Sequence, residues 1–206
     1  IGAFLNLKKY PSLYGLLIAL FLIYVASHAV ESNWSYFTMY KFSWDEKMVG
    51  ISLGVVGVLV SLVQGGLIRW TSRKLGNEKS IYVGMVLYTI GMFLFAFASE
   101  SWMMFLFLIP YCLAGIAGPA LRAIISNHVL PTEQGEIQET IASLMSAATI
   151  IGPPVMSGLF YYFTHKGAPF EFAGMPFILG GLLMVISGIV SYFSLKKYAT
   201  SNTNSD

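Results

Sequence analysis

The chain has 206 residues, of which 56% are hydrophobic and 11% charged, and its mean hydropathy is +0.68. Soluble domains carry roughly 25% charged residues, so there are too few charges here to cover a water-facing body. Twelve bases against ten acids also leave no basic stripe for nucleic acid.

What remains is an all-α polytopic membrane protein. A spanning helix needs about 20 mostly apolar residues, and six such runs occur, over residues 13–34, 49–69, 81–98, 102–125, 141–163 and 176–195. They are too long for barrel strands of about 10 residues and show no alternation of period two. The Ser/Thr/Asn-rich end, residues 199–206, is expected to be a flexible tail. Six crossings put both termini on one side, together with Lys8, Lys9, Arg69, Arg73, Lys74, Lys79, Arg122, Lys196 and Lys197. Only Lys41, Lys47 and Lys166 fall opposite. Because basic residues concentrate in cytoplasmic flanks, both termini are expected in the cytoplasm. Trp34, Trp44, Trp70 and Trp102 lie near predicted helix ends, where aromatic rings favour the headgroup layer.

In the first run, Tyr24, His28, Glu31 and Ser35 recur at helical spacing and share one face, with Asn33 close by. Ionisable groups at membrane depth are costly and mark functional positions; this face reads either as a pathway lining or as a solvated helix end. The second run carries Gly50, Gly54, Gly57, Ser61 and Gly65 as a small-residue ridge. Such ridges let helices approach closely in lipid, and a part in rocking motion is the other reading. Gln64, in the same run, suits an interhelical hydrogen bond or a pathway contact. The fourth run holds Gly115, Gly118 and Pro119, and the fifth holds Gly152, Pro153 and Pro154. Proline removes a backbone donor and bends or breaks a helix, and broken helices point to a transport pathway. Arg122 reads as an anchor reaching for the interface.

No enzyme is expected. A Walker loop and an HExxH pair are both missing from the sequence, and no metal-ligand spacing or cofactor motif is found. The single cysteine, Cys112, excludes a disulfide framework and a cysteine-based zinc site. Transport must then draw on a gradient or on another polypeptide.

Several stretches resemble one family. Asn33-Trp34-Ser35-Tyr36-Phe37, Phe42-Ser43-Trp44-Asp45 and Val49-Gly50-Ile51-Ser52-Leu53 are similar to the junction of the seventh and eighth helices in major facilitator drug/proton antiporters of the tetracycline-resistance branch. Gly115-Ile116-Ala117-Gly118-Pro119-Ala120-Leu121 resembles the tenth helix of that branch. The run from Glu133-Gln134-Gly135-Glu136 to Gly152-Pro153 resembles its loop and eleventh helix.

The resemblance implies the C-terminal six-helix half of a twelve-helix exporter in a bacterial inner membrane. It implies a missing N-terminal half as partner, and a beginning at Ile1 fits a fragment or a processed product. A proton moving inward would drive a small lipophilic solute out across the lipid bilayer. Tyr24, His28, Glu31, Asn33, Gln64, Tyr88 and Met145 would line the pathway. Pro119, Gly152 and Pro153 would act as hinges, and Arg73, Lys74 and Gly76 occupy the place of a cytoplasmic gating motif. Arg73 stands where that motif is usually acidic. Tyr88 and Val60 stand where tetracycline pumps carry an acid and a histidine, so the resemblance implies the class and not the drug. A six-helix membrane scaffold that transports nothing is the alternative.

Overall fold

The computed structural model describes residues 13–203. Six helices long and apolar enough to cross a bilayer are present, Tyr14–Phe42, Glu46–Lys74, Gly76–Phe97, Ser101–Asn127, Pro131–Thr164 and Met175–Lys196. No strand occurs among the described residues. Each span overlaps its predicted run, but most reach further into the polar flanks. Helical backbone satisfies its own hydrogen bonds wherever it lies, so a change of side-chain polarity does not end it. The last helix continues to Thr203, into the segment expected to be a flexible tail; residues 204–206 lie outside the described ones.

The first span is two helices, α1 (Tyr14–Glu31) and α2 (Trp34–Phe42), joined at Ser32-Asn33. Ser43 closes α2 in the left-handed region at φ 53°. Asp45 then caps α3 (Glu46–Leu62), its Oδ1 accepting from the Met48 N–H at 2.8 Å. An aspartate at this position satisfies one of the orphan donors of the first turn. A π turn, Val63–Leu67, links α3 to α4 (Ile68–Lys74). The third span is the unbroken α5 (Gly76–Phe97). The fourth divides into α6 (Ser101–Leu113) and α7 (Ala117–Asn127) around a 3₁₀ turn, Ala114–Ile116. The fifth is α8 (Gln134–Thr164) after a short 3₁₀ turn, and the sixth is α9 (Met175–Thr203).

The sixth span packs between the first and the third. The first also meets the fifth, the third meets the fourth, and the second touches the fourth. Close approach comes from single small residues. Ser187 donates to the Ala19 carbonyl at 2.8 Å. A Cβ added at Gly180 would lie 3.0 Å from that of Ala29. Gly91 lies against Tyr111, and Gly84 against Ala117 and the 3₁₀ turn. The ridge on the second span behaves differently. Its Gly50, Gly54, Gly57 and Gly65 have nothing within 4 Å of an added Cβ, and Ser61 is exposed, bonding only back to the Gly57 carbonyl. The tight contact expected there is not made within this chain.

Two tryptophans also depart from expectation. Trp34 is 3% exposed and Trp44 7%, so both belong to the core and not to a headgroup belt. Trp34 packs edge-on to Phe95 at 5.2 Å, and Phe37 to Phe177 at 4.8 Å, while Trp44 stacks on Phe105 at 5.4 Å. This aromatic cluster ties the first, third, fourth and sixth spans together. Trp34 Nε1 donates to Ser52 Oγ at 2.8 Å and fastens the second span to the cluster. Trp34→Phe is expected to keep the packing and lose this bond, lowering stability by about 1 kcal/mol in thermal unfolding of the purified protein. Ser52→Ala should add almost nothing on top. Trp70 and Trp102 are exposed as predicted.

Candidate functional site

The polar face of α1 is the place to build from. Successive residues of a helix rise 1.5 Å, so Tyr24, His28 and Glu31 form a column about 10 Å long. His28 Nδ1 lies 3.2 Å from Glu31 Oε2; the histidine is 12% exposed and the glutamate 58%. Glu31 therefore reaches outward from the bundle while His28 is held against it. Gly152 of α8 does the holding: a Cβ there would lie 2.8 Å from His28 Cγ. This glycine is small because the imidazole occupies the space its side chain would need.

One turn or so deeper, Arg122 of α7 sets its guanidinium carbon 5.2 Å from the centre of the Tyr24 ring. Its Nη2 lies 3.5 Å from Met145 Sδ on α8. Three spans thus meet at one side-chain cluster. Tyr88 of α5 and Tyr111 of α6 have ring centres 5.1 Å apart and hydroxyls 3.4 Å apart.

The structure thereby gathers Tyr24 and Met145 around Arg122 and sets His28 beside Glu31, while Tyr88 pairs with Tyr111. Asn33 does not join them. It is fully buried, its amide donating at 3.3 Å to the Ala29 carbonyl, and serves the bend between α1 and α2. Gln64 is exposed on the π turn and meets none of the column. No contact links Arg73, exposed at the end of α4, to the column either. Lys74 lies over the Trp70 ring at 5.4 Å. Gly76 opens α5 with φ 75°, a left-handed turn for which glycine is suited.

The expected helix breaks are half met. The fourth span is interrupted just before Pro119, at Ala114–Ile116, with Pro110 one turn ahead. The fifth is not broken: α8 runs continuously through Gly152, Pro153 and Pro154. The breaks at Ser32-Asn33 and Val63–Leu67 carry no proline and were not foreseen. Arg122 was also missed as a site residue. Its signal is a cation in an apolar helix with no acid three or four residues away, so its charge must be answered from another helix.

Residues 16–205 match the family profile described as Major Facilitator Superfamily. The chain belongs to this superfamily. It is similar to the class E tetracycline resistance protein of Escherichia coli, 36% identical over 146 residues, covering 71% of this chain and 36% of that protein. The class C protein of Escherichia coli is 31% identical over 145 residues, 70% of this chain and 37% of its own length. The class G protein of Vibrio anguillarum is 31% identical over 140 residues, covering 68% and 36%. The chain thus matches little more than a third of the length of these relatives. The molecule is an integral membrane protein.

Proposed function

We propose that the chain is one six-helix half of a twelve-helix secondary transporter that expels a lipophilic solute in exchange for protons. The distribution of burial carries this reading. Only 11% of the apolar stretch of the second span and 22% of the fifth are buried within the chain, against 50% in the first and third. The glycine ridge on the second span is open. Small-residue ridges serve close helix contacts in lipid, so these two spans present a face for the missing six helices. The relatives' names, all tetracycline resistance proteins, support a drug or drug-like cargo.

In this arrangement the column of Tyr24, His28 and Glu31, with Tyr88 and Met145, lines the cavity between the halves. Both termini face the cytoplasm of a bacterial plasma membrane, as the distribution of basic residues directs. Solute and proton take turns at the cavity while the halves rock, and bending at Pro119, Gly152 and Pro153 accommodates the motion. Arg73, Lys74 and Gly76 form the cytoplasmic turn between the second and third spans, where a gate would act.

The test is a drug-susceptibility panel in a pump-deficient bacterial host expressing the full-length gene. Resistance to at least one lipophilic compound, abolished by a protonophore, is the expected result. No change for any compound overturns the reading in favour of a non-transporting scaffold. Glu31 is 58% exposed and lies 3.2 Å from His28, which supports an accessory part for it, with the principal proton carrier in the other half. Glu31→Gln is accordingly expected to keep most of the proton-coupled efflux, and total loss would refute that assignment.

A further inference from the structure

Arg122 is a cation in the fourth span that no carboxylate answers among the described residues. Its Nε is buried and has no hydrogen-bond partner among the described residues, and the buried Tyr24 hydroxyl beside it has the Arg122 guanidinium itself as its polar neighbour. Tyr24 stands ten residues inside the first span, about 15 Å from its start at the helical rise, so the pair lies well within the apolar zone. A guanidinium at such a depth is expensive unless it is paired or faces a polar cavity, and a buried phenol ordinarily finds a partner. Two buried donors side by side, with no oxygen acceptor beyond each other among the described residues, therefore point to an acceptor from outside this cluster. The chemistry of the donors defines it: the planar fork of an arginine matches a carboxylate, sulfonate, enolate or phosphate, and a phenol can add one further bond to the same oxygens.

The surroundings favour a solute over a protein side chain. The guanidinium is flanked by the Tyr24 ring at 5.2 Å and the Met145 thioether at 3.5 Å, a soft and adaptable wall suited to an apolar body. Met145 is exposed at the open face of the fifth span, so the site can be entered. Glu31 lies at the far end of the column, about 10 Å along the helix, and leaves the Arg122 end positive. We propose that Arg122 and the Tyr24 hydroxyl form an oxyanion subsite, and that the solute carried is a lipophilic organic anion. This rests on the transport reading above.

Binding tests the subsite without transport, so a protein that binds anions yet moves nothing would remove the transport reading and leave the oxyanion subsite standing. The full-length gene product in phosphatidylcholine nanodiscs is titrated with anilinonaphthalene sulfonate and with phenyl-naphthylamine, the same rings without the sulfonate. Fluorescence above that of empty nanodiscs is the readout. The sulfonate is expected to bind at least about tenfold more tightly, the size of one charge-assisted hydrogen bond. Arg122→Gln should erase this preference while leaving the neutral probe unchanged. Arg122→Lys should keep part of it, and Tyr24→Phe should reduce it by about threefold; these two carry the test should Arg122→Gln fail to fold. Equal affinities in the wild type overturn the proposal, as they would if a carboxylate of the other half filled the site. A preference that survives all three substitutions overturns it as well.

Discussion

Gly84→Val is expected to remove most of the folded protein, costing at least about 3 kcal/mol, the upper part of the range for overpacking. Gly84 lies where α5 meets the junction of the 3₁₀ turn and α7. A Cβ there would lie 2.7 Å from the Ala117 Cβ, 2.9 Å from the Ala117 nitrogen and 3.1 Å from the Ala114 carbonyl oxygen. Two of these three are backbone atoms of a turn already tightened to 3₁₀ geometry, so no rotamer change relieves the clash. Valine adds two methyl groups to it. Size-exclusion profile and thermal unfolding of the solubilised protein read the loss. Gly135→Val is the control, because nothing lies within 4 Å of an added Cβ there. Equal behaviour of the two variants would show that the third and fourth spans do not pack as described.

Gly152→Leu in the full-length protein is expected to lower the proposed efflux by about tenfold or more while the protein still reaches the membrane. The new side chain starts 2.8 Å from His28 Cγ and 2.9 Å from its Cβ, so α1 and α8 must separate or the imidazole must leave its place beside Glu31. Overpacking of this kind costs about 1–3 kcal/mol, and each 1.4 kcal/mol is about tenfold in an equilibrium. Here the obstacle is one side chain and not backbone, which allows a sharper test. His28→Ala in the same protein should restore much of the loss, since residues in contact do not act additively. A double variant as impaired as Gly152→Leu alone would mean that Gly152 matters for helix bending and not for its fit to His28.

Much of the fold was legible because the signal is coarse. Runs of about 20 apolar residues leave few alternatives in a bilayer, and six runs became six helices. Family membership was legible in the resemblance of Asn33–Leu53, Gly115–Leu121 and the run from Glu133 to Pro153 to the tetracycline-resistance branch. The errors come from contacts between helices, which one sequence does not display. Trp34 and Trp44 sit at polar boundaries in the sequence, yet the bend at Ser32-Asn33 and the left-handed Ser43 turn them into the aromatic core. Five small residues in register on the second span make no tight contact within this chain, whose close approaches use lone glycines such as Gly84 and Gly180. Asn33 was grouped with the column by proximity in sequence and is instead sealed inside the bend. Arg122 took its meaning only when Tyr24 and Met145 appeared around it.

The π turn at Val63–Leu67 gives the second span two angular frames. Such a turn accommodates one residue more than the α turn it replaces, and one residue is worth about 100° of rotation. Gly65, counted in sequence as the next step after Gly57 and Ser61, lies inside the turn, and Arg69 and Arg73 follow it on a wheel offset from that of Gly50 and Gly54. The segment before the turn can thus keep its glycines towards one neighbour while the segment after it aims its cations elsewhere, as two gears keyed differently on a common shaft.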